Sequence, residues 1–520
     1  MQSVPKSLNC ILLVKDKSIQ VQCDNIEAVN TISSILTTCL GPRSMQKMIL
    51  TRIGTIQITN DGNAILRELD ITHPAAKQIV ELARTQDNEV GDGTTTVILL
   101  AAKLLEEMGV LLRDKIHPVH ICKILKEALG ECLSYLEEVS YPFKGSEDEK
   151  IGIVRHSVAN KLCTMLKVDL ASLAYKAANI AKNCDIKTFV KIEKISAADF
   201  SGCDVLDGVI VNKSLIHSEM RREIRDPRVI ILDTPIEYKK GESKTSYELK
   251  NQAEYTRALE IEEEQVQEVV DHILALNPDI VITEKGICDS ALSMFQKKNV
   301  TALRRFKKTD TLRIAAVTGA TIVSRAEDLE EKHVGRNCRL FKVTRLGNED
   351  YVNFVECVDP KACSVVLRGP SRDILNEFER NFEDAIKVAR NLRMSDRLCA
   401  GGGATEMNLC KFLLRSSETT ENTRNSTLRK RVYDGIANAL RMIPLTLAKN
   451  SGCDDPLGLI AELESTNDVY MGIDGVNGKV VDVRNLVMEP IAVKRQALKS
   501  AFEAVALLLR VDGVIQSKKK

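Results

Sequence analysis

Tryptophan is absent from the 520 residues, and aromatic residues make up only 4% of the chain. Stacking platforms for single-stranded nucleic acid are therefore not expected. An excess of charge is lacking too, with 73 basic residues against 72 acidic ones and a formal net charge of +1. That balance argues against a nucleic-acid binder, whose domain carries a clear basic excess. No apolar run approaches the roughly 18 residues a membrane helix needs. The longest candidate, Val97 to Leu105, is broken by Lys103 and ended by Glu106-Glu107. The first ten residues hold one Pro, one Lys and no apolar core, so a signal peptide is not expected. The 15 Cys form no CxxC pair and no Cys/His spacing suited to zinc. They are expected to be reduced thiols of a cytosolic protein. A Walker A sequence is also missing: Gly475 to Lys479 has the wrong spacing and no Ser/Thr after the Lys.

What remains is an ordinary globular composition, 44% hydrophobic and 28% charged, in a chain too long for one core. Ile26, Val29, Ile32, Ile35, Leu36 and Cys39 recur at helical spacing, which predicts a helix from Asn25 to Leu40 stopped by Gly41-Pro42. Met48 to Thr59 reads as two short strands around Arg52 to Thr55. Further helices are expected after Asp61-Gly62-Asn63 and after Gly91-Asp92-Gly93. Between about Val205 and Val358, β-rich runs such as Val229 to Leu232 and Ile280 to Thr283 alternate with helical stretches, an α/β pattern. Helical texture returns from Asp373 and persists to Pro444. An α/β domain nested within a helical one built from both chain ends is the expected architecture. Tyr238 to Glu264 is highly charged and has few apolar residues, so it should project from its domain. Lys518 to Lys520 reads as a solvated basic tail.

A nucleotide site without a Walker loop needs other parts. Gly91-Asp92-Gly93-Thr94-Thr95-Thr96 has two Gly that admit a close backbone approach. Its three Thr open an apolar helix, where free N–H groups and the helix dipole favour phosphate. Asp92 beside phosphates makes sense only with a Mg²⁺ between them. Taken alone, the string reads equally well as a plain helix start. Asp384 falls off the apolar stripe Phe378, Phe382, Ala385, Ile386 and Ala389, which by itself predicts a solvated face. Lys161, in a polar loop, reads by itself as a solvated charge.

Together and in order, Leu40-Gly41-Pro42, Thr59-Asn60-Asp61-Gly62, His73 to Lys77, Glu89 to Thr95, Gly401 to Ala404 and Glu406 resemble the group II chaperonins over essentially the whole chain. Glu237 to Ser243, Thr283 to Ile287 and Arg304 to Asp310 resemble one subunit type of a mixed ring. Leu498 to Asp512 resembles the family's last helix.

The resemblance implies a multidomain chaperonin fold. It has a mainly α-helical equatorial domain from both chain ends (1–139 and 399–520) and a small α+β intermediate domain (140–212 and 359–398). An α/β apical domain (213–358) is inserted, with a helical protrusion at about 238–264. The resemblance further implies an ATPase that uses ATP and Mg²⁺, with Asp92 as the principal Mg²⁺ ligand. Asp61 and Asp384 would position and polarise the attacking water. Lys161 would sense the γ-phosphate. Leu40, Gly41, Pro42, Gly62, Gly91, Gly93, Thr94, Thr95, Thr96, Gly402 and Gly472 would contact the nucleotide, and Glu489 the ribose. Implied partners are paralogous subunits of a hetero-oligomeric double ring and non-native polypeptides, actin and tubulin among them. The helix from Asp289 to Lys298 is a candidate client contact. Neither nucleic acid nor membrane is implied. The chain also departs from the family's pattern. Ala400 stands where relatives usually have Pro, and Asp512 is followed by Gly513 where the final helix region often has paired Asp. The loop Arg393 to Arg397 is also shifted by one residue relative to the family's pattern. None of these departures removes a catalytic group. A small-molecule kinase and a poorly hydrolysing ring subunit are the alternatives.

Overall fold

The computed structural model describes residues 10–11, 18–50, 54, 56–161, 166, 168–182, 184–197, 200, 202–238, 251–347, 349–418, 424–484, 486–514 and 516–517. Contacts divide the chain into two units. One joins Met1–Ser172 to Asn381–Lys520, and the other is the intervening Leu173–Arg380.

The first unit is helical and is organised around Thr94–Arg113. Val97, Ile98, Leu99, Leu104 and Met108 of that helix are fully buried, so it is apolar on nearly every side. A helix of that kind can exist only with neighbours all round it. Those neighbours are Ser18–Leu36, Pro74–Val90, Arg424–Asn450 and Ile491–Leu508. Residues from both chain ends therefore share one hydrophobic core, each large apolar side chain contributing about 1.5–3 kcal/mol on burial. Cys10–Ile11 also pairs antiparallel with Gln516–Ser517. Two small sheets matter for the site. Lys47–Leu50 and Ile56–Thr59 form a hairpin. Arg397–Ala400 pairs with Met488–Pro490 on one side and Tyr141–Pro142 on the other.

The second unit contains a parallel sheet in the order Thr301–Leu303, Ile280–Thr283, Val229–Leu232, Ile322–Val323. Its central strands are buried on both faces and read as unbroken apolar runs, as a covered parallel sheet requires. Gln252–Leu274 and Asp289–Lys297 pack on one face. Lys308–Thr318 and a four-stranded antiparallel sheet pack on the other.

Several boundaries differ from those read in the sequence. The first helix begins at Ser18 and ends at Leu36, followed by a 3-10 turn at Thr37–Cys39. Helix Arg424–Asn450 runs through Pro444, beyond the expected end of helical texture. The last helix is Ile491–Leu508, displaced towards the N-terminus from Leu498–Asp512. Of the expected projecting segment, residues 239–250 lie outside the described residues, as does the tail 518–520. Its described remainder opens Gln252–Leu274, exposed almost throughout to Gln265 and buried only from Val266. The cysteines from Cys23 to Cys453 whose side chains are described are free. Among the described residues no helix is long and apolar enough to cross a membrane.

Candidate nucleotide site

The site lies wholly in the first unit, and helix ends build it. Pro74–Val90 ends at Gly91 and Thr94–Arg113 begins after Gly93, both Gly left-handed at φ 76°. Only Gly adopts that conformation without strain. Gly91 is also tight: an added Cβ would lie 2.7 Å from Lys387 Cβ and 2.9 Å from the Asp384 carbonyl oxygen. Asp92 is thereby held between two helix ends. Its Oδ1 accepts the Gly93 N–H at 2.7 Å, and its carbonyl accepts from Gln86 Nε2 at 2.9 Å.

Asp61 caps Gly62–Glu68, accepting the Ala64 N–H at 3.0 Å and the Asn63 N–H at 3.4 Å. It also accepts from Thr94 Oγ1 at 3.4 Å, which ties this cap to the Thr94–Arg113 helix start. Gly62 abuts Thr95, whose side chain is buried there; its first-turn backbone N–H is the group it can offer a ligand. Thr96 is half-buried in the same turn.

Asp384, on helix Arg372–Met394, is buried, contrary to the solvated face its position off the apolar stripe predicts. The stripe itself is buried as expected, but Asn381, Lys387 and Asn391 are buried as well. Periodicity cannot distinguish a solvated polar face from one that lines a site. Lys161 Nζ is paired with Asp384 Oδ2, and Lys387 Nζ lies 3.8 Å from Oδ1 and 3.0 Å from Asp87 Oδ1. Burial pushes the Asp384 carboxyl up to about 7, with Lys161 opposing and Asp61 and Asp87 adding to the rise. For Lys161, burial disfavours the charge. The surrounding Asp384, Asp61 and Asp92 outweigh it and hold the ammonium above its ordinary range. Burial also raises Asp92, against the Gly93 N–H, Lys161 and Lys494.

The remaining residues join this centre. Asn160 Nδ2 donates to the Gly41 carbonyl at 3.3 Å and Asn60 Nδ2 to the Asn160 carbonyl at 3.3 Å, fixing the Lys161 turn beside Leu40-Gly41-Pro42. Asn450 holds the Leu40 carbonyl at 2.8 Å, and Pro42 lies against Gly475. The Gly401 N–H donates to Val487, and the Gly402 carbonyl accepts from the Ile473 N–H at 2.8 Å, placing Gly402 next to Gly472. Glu489, opposite Cys399, is raised by burial, with Lys494 opposing and Asp92 adding to the rise. The residues named from the sequence for the nucleotide are thus linked through contacts within the first unit. Gln86, Asp87, Asn160, Lys387 and Lys494 were missed. A Lys among Ile491, Val493 and Ala497 was the one legible signal, because an amine on an apolar helix face needs a buried partner.

Among the described residues no three metal-ligating side chains cluster. Mg²⁺ takes one or two carboxylates and completes its shell with phosphate and water. Asp92, part-buried with its charge disfavoured by burial, is the carboxylate that would gain from a cation there.

The TCP-1/cpn60 chaperonin family matches residues 32–519. T-complex protein 1 subunit gamma of Encephalitozoon cuniculi is 49% identical over 515 residues, covering 98% of this chain and 98% of that protein. The subunit gamma of Schizosaccharomyces pombe is 44% identical over 513 residues, 96% of each. That of Homo sapiens is 41% identical over 514 residues, 96% of this chain and 93% of its own length.

Proposed function

The chain belongs to the TCP-1/cpn60 chaperonin family, and from that premise we propose that it is an ATP-hydrolysing, gamma-like subunit of a hetero-oligomeric, double-ring cytosolic chaperonin. One observation carries the reading. Asp384 is ion-paired with Lys161, and Asp61, which with Asp92 also faces that ammonium, accepts from Thr94 at the start of an apolar helix, so carboxylates from three separate stretches of chain meet at one helix end.

Phosphoryl transfer to water needs positioning and charge neutralisation more than a strong base. The backbone of Gly41, Gly91, Gly93 and Thr94 to Thr96 receives the phosphates, the backbone at Gly402 and Gly472 contacts the nucleotide, and Glu489 meets the ribose. Asp92 would hold a Mg²⁺, which would supply neutralisation of phosphate charge. Asp61 and Asp384 orient the water that attacks the γ-phosphorus as the bond to ADP breaks. With a proton affinity near neutrality, Asp384 is suited to take the water's proton. Lys161 exchanges its carboxylate partner for the γ-phosphate and so reports its presence.

The helical parts from both chain ends form the equatorial domain (1–139, 399–520), 140–212 with 359–398 the intermediate domain, and 213–358 the apical domain. Turnover closes a lid formed by the exposed start of Gln252–Leu274 over non-native polypeptides, actin and tubulin among them. The surface at Asp289–Lys297 is a client contact, with Lys297 and Lys298 exposed beside it. Assembly is supported by the hairpin: Met48, Leu50, Ile56 and Ile58 share one face and are all exposed. An apolar patch of that kind marks a protein contact.

Native mass of the chain purified from its own cells, with and without ATP, tests the proposal. A particle of many similar-sized, distinct subunits is expected. A lone monomer would overturn the ring and favour a small-molecule kinase.

A further inference from the structure

We propose that Glu406, through Lys494, is the positioning residue that fixes the Glu489 carboxylate for the ribose. The inference rests on the reading of Glu489 as the ribose contact. Glu406 follows the Gly401-Gly402-Gly403 loop in the first turn of Ala404–Glu418 and is 3% exposed. A carboxylate so buried costs several kcal/mol unless it is paired. Its Oε1 accepts from Lys494 Nζ at 2.8 Å, and the same ammonium lies 3.1 Å from Glu489 Oε2. Lys494 is itself 8% exposed. One ammonium thus bridges two carboxylates from separate segments, the helix after the glycine loop and the strand Met488–Pro490.

The strand sets where the Glu489 backbone lies, opposite Cys399, but leaves three side-chain torsions free. Lys494 limits them, and Glu406 in turn anchors Lys494 from the opposite side. Gln86 completes the support: its Nε2 reaches the Val493 carbonyl at 3.4 Å and the Asp92 carbonyl at 2.9 Å. The helix carrying Lys494 is thereby tied to the loop carrying Asp92. Glu406 Oε2 is buried without a protein hydrogen-bond partner. Its burial without full satisfaction is a cost that a purely structural pair would not need to carry.

The test uses the assembled particle and a photoreactive azido-ATP whose attachment to this chain is resolved by mass. Competition by ATP and by 2′-deoxy- and 3′-deoxy-ATP gives the ribose discrimination of this site alone. The reference variant Glu489→Gln should abolish discrimination. Glu406→Gln should reduce it about tenfold, the scale of one charge-assisted hydrogen bond, and should add little once Glu489→Gln is present. It should raise KM more than it lowers kcat. The double variant Glu406→Gln with Lys494→Met removes the ammonium together with one of its two carboxylates and should lose discrimination at least as far, which serves if the single variant does not assemble. Full discrimination in Glu406→Gln or in the double variant, with Glu489→Gln discrimination lost, overturns the positioning role while leaving the site reading intact. Absence of ribose discrimination in the unaltered chain overturns both.

Discussion

Lys161 and Asp384 stand 223 positions apart in sequence and form an ion pair between Nζ and Oδ2. Each side chain is 13% exposed. Removing one partner of a buried pair leaves an uncompensated charge. Lys161→Met should therefore cost about 3–5 kcal/mol, measured by chemical denaturation. Below about pH 7 the Asp384 carboxyl takes up a proton and needs its partner less. The cost should shrink at pH 5.5 relative to pH 8; an equal cost at both would separate the pair from the titration.

The pH dependence of hydrolysis has a definite sign. If Asp384 acts ionised, kcat/KM should fall as pH drops through about 7. Lys387 helps hold that carboxyl down, so Lys387→Met should move the acid limb to higher pH. The folded chain also holds the Asp384 proton between the ordinary carboxylate value and about 7. Through this group, stability therefore declines as pH rises across that window. An acid limb that stays in place in Lys387→Met would exclude Asp384 as its source.

Gly91 and Gly54 offer a controlled comparison. Both have positive φ, 76° and 86°, but a Cβ at Gly54 meets nothing within 4 Å while one at Gly91 collides with Lys387 and Asp384. Gly54→Ala should cost only the left-handed strain, about 1–2 kcal/mol. Gly91→Ala should cost more and lower turnover at least tenfold, because the collision displaces Asp384. Equal effects on turnover would mean that the close approach has no functional consequence.

The exposed hairpin face gives a prediction about assembly. Met48 and Leu50 are each 71% exposed and pair with Ile58 and Ile56. Met48→Glu combined with Ile58→Glu should leave the melting temperature of the isolated chain nearly unchanged, since surface substitutions usually shift stability by less than about 0.5 kcal/mol. The variant should be depleted from the large particle in native mass spectra. Normal incorporation would show that this face is not part of the ring contact.

Much of the helical unit was legible because its signals are local. Gly41, Gly91 and Gly93 mark helix ends by their backbone freedom, and the all-apolar Thr94–Arg113 segment must be buried. The strands Val229–Leu232 and Ile280–Thr283 were equally plain as short apolar runs. Asp384 was not legible from its own helix. Its burial depends on Lys161 and Gly91, which chain topology brings close and periodicity cannot see. Helical texture was read only as far as Pro444, whereas tertiary packing carries Arg424–Asn450 past it, with Gly403 close against the proline ring. The Lys494 bridge was hidden for a similar reason, since Glu406 and Glu489 are far apart in sequence.

In the proposed function Asp384 serves hydrolysis rather than nucleotide binding. Single-turnover hydrolysis and nucleotide binding by Asp384→Ala, resolved for this chain within the assembled particle, test it most directly. The variant should bind ATP with affinity within about threefold of the unaltered chain, yet lose at least about a hundredfold in turnover, the lower range for a positioned acid–base group. Loss of binding, or turnover at the unaltered rate, would contradict it.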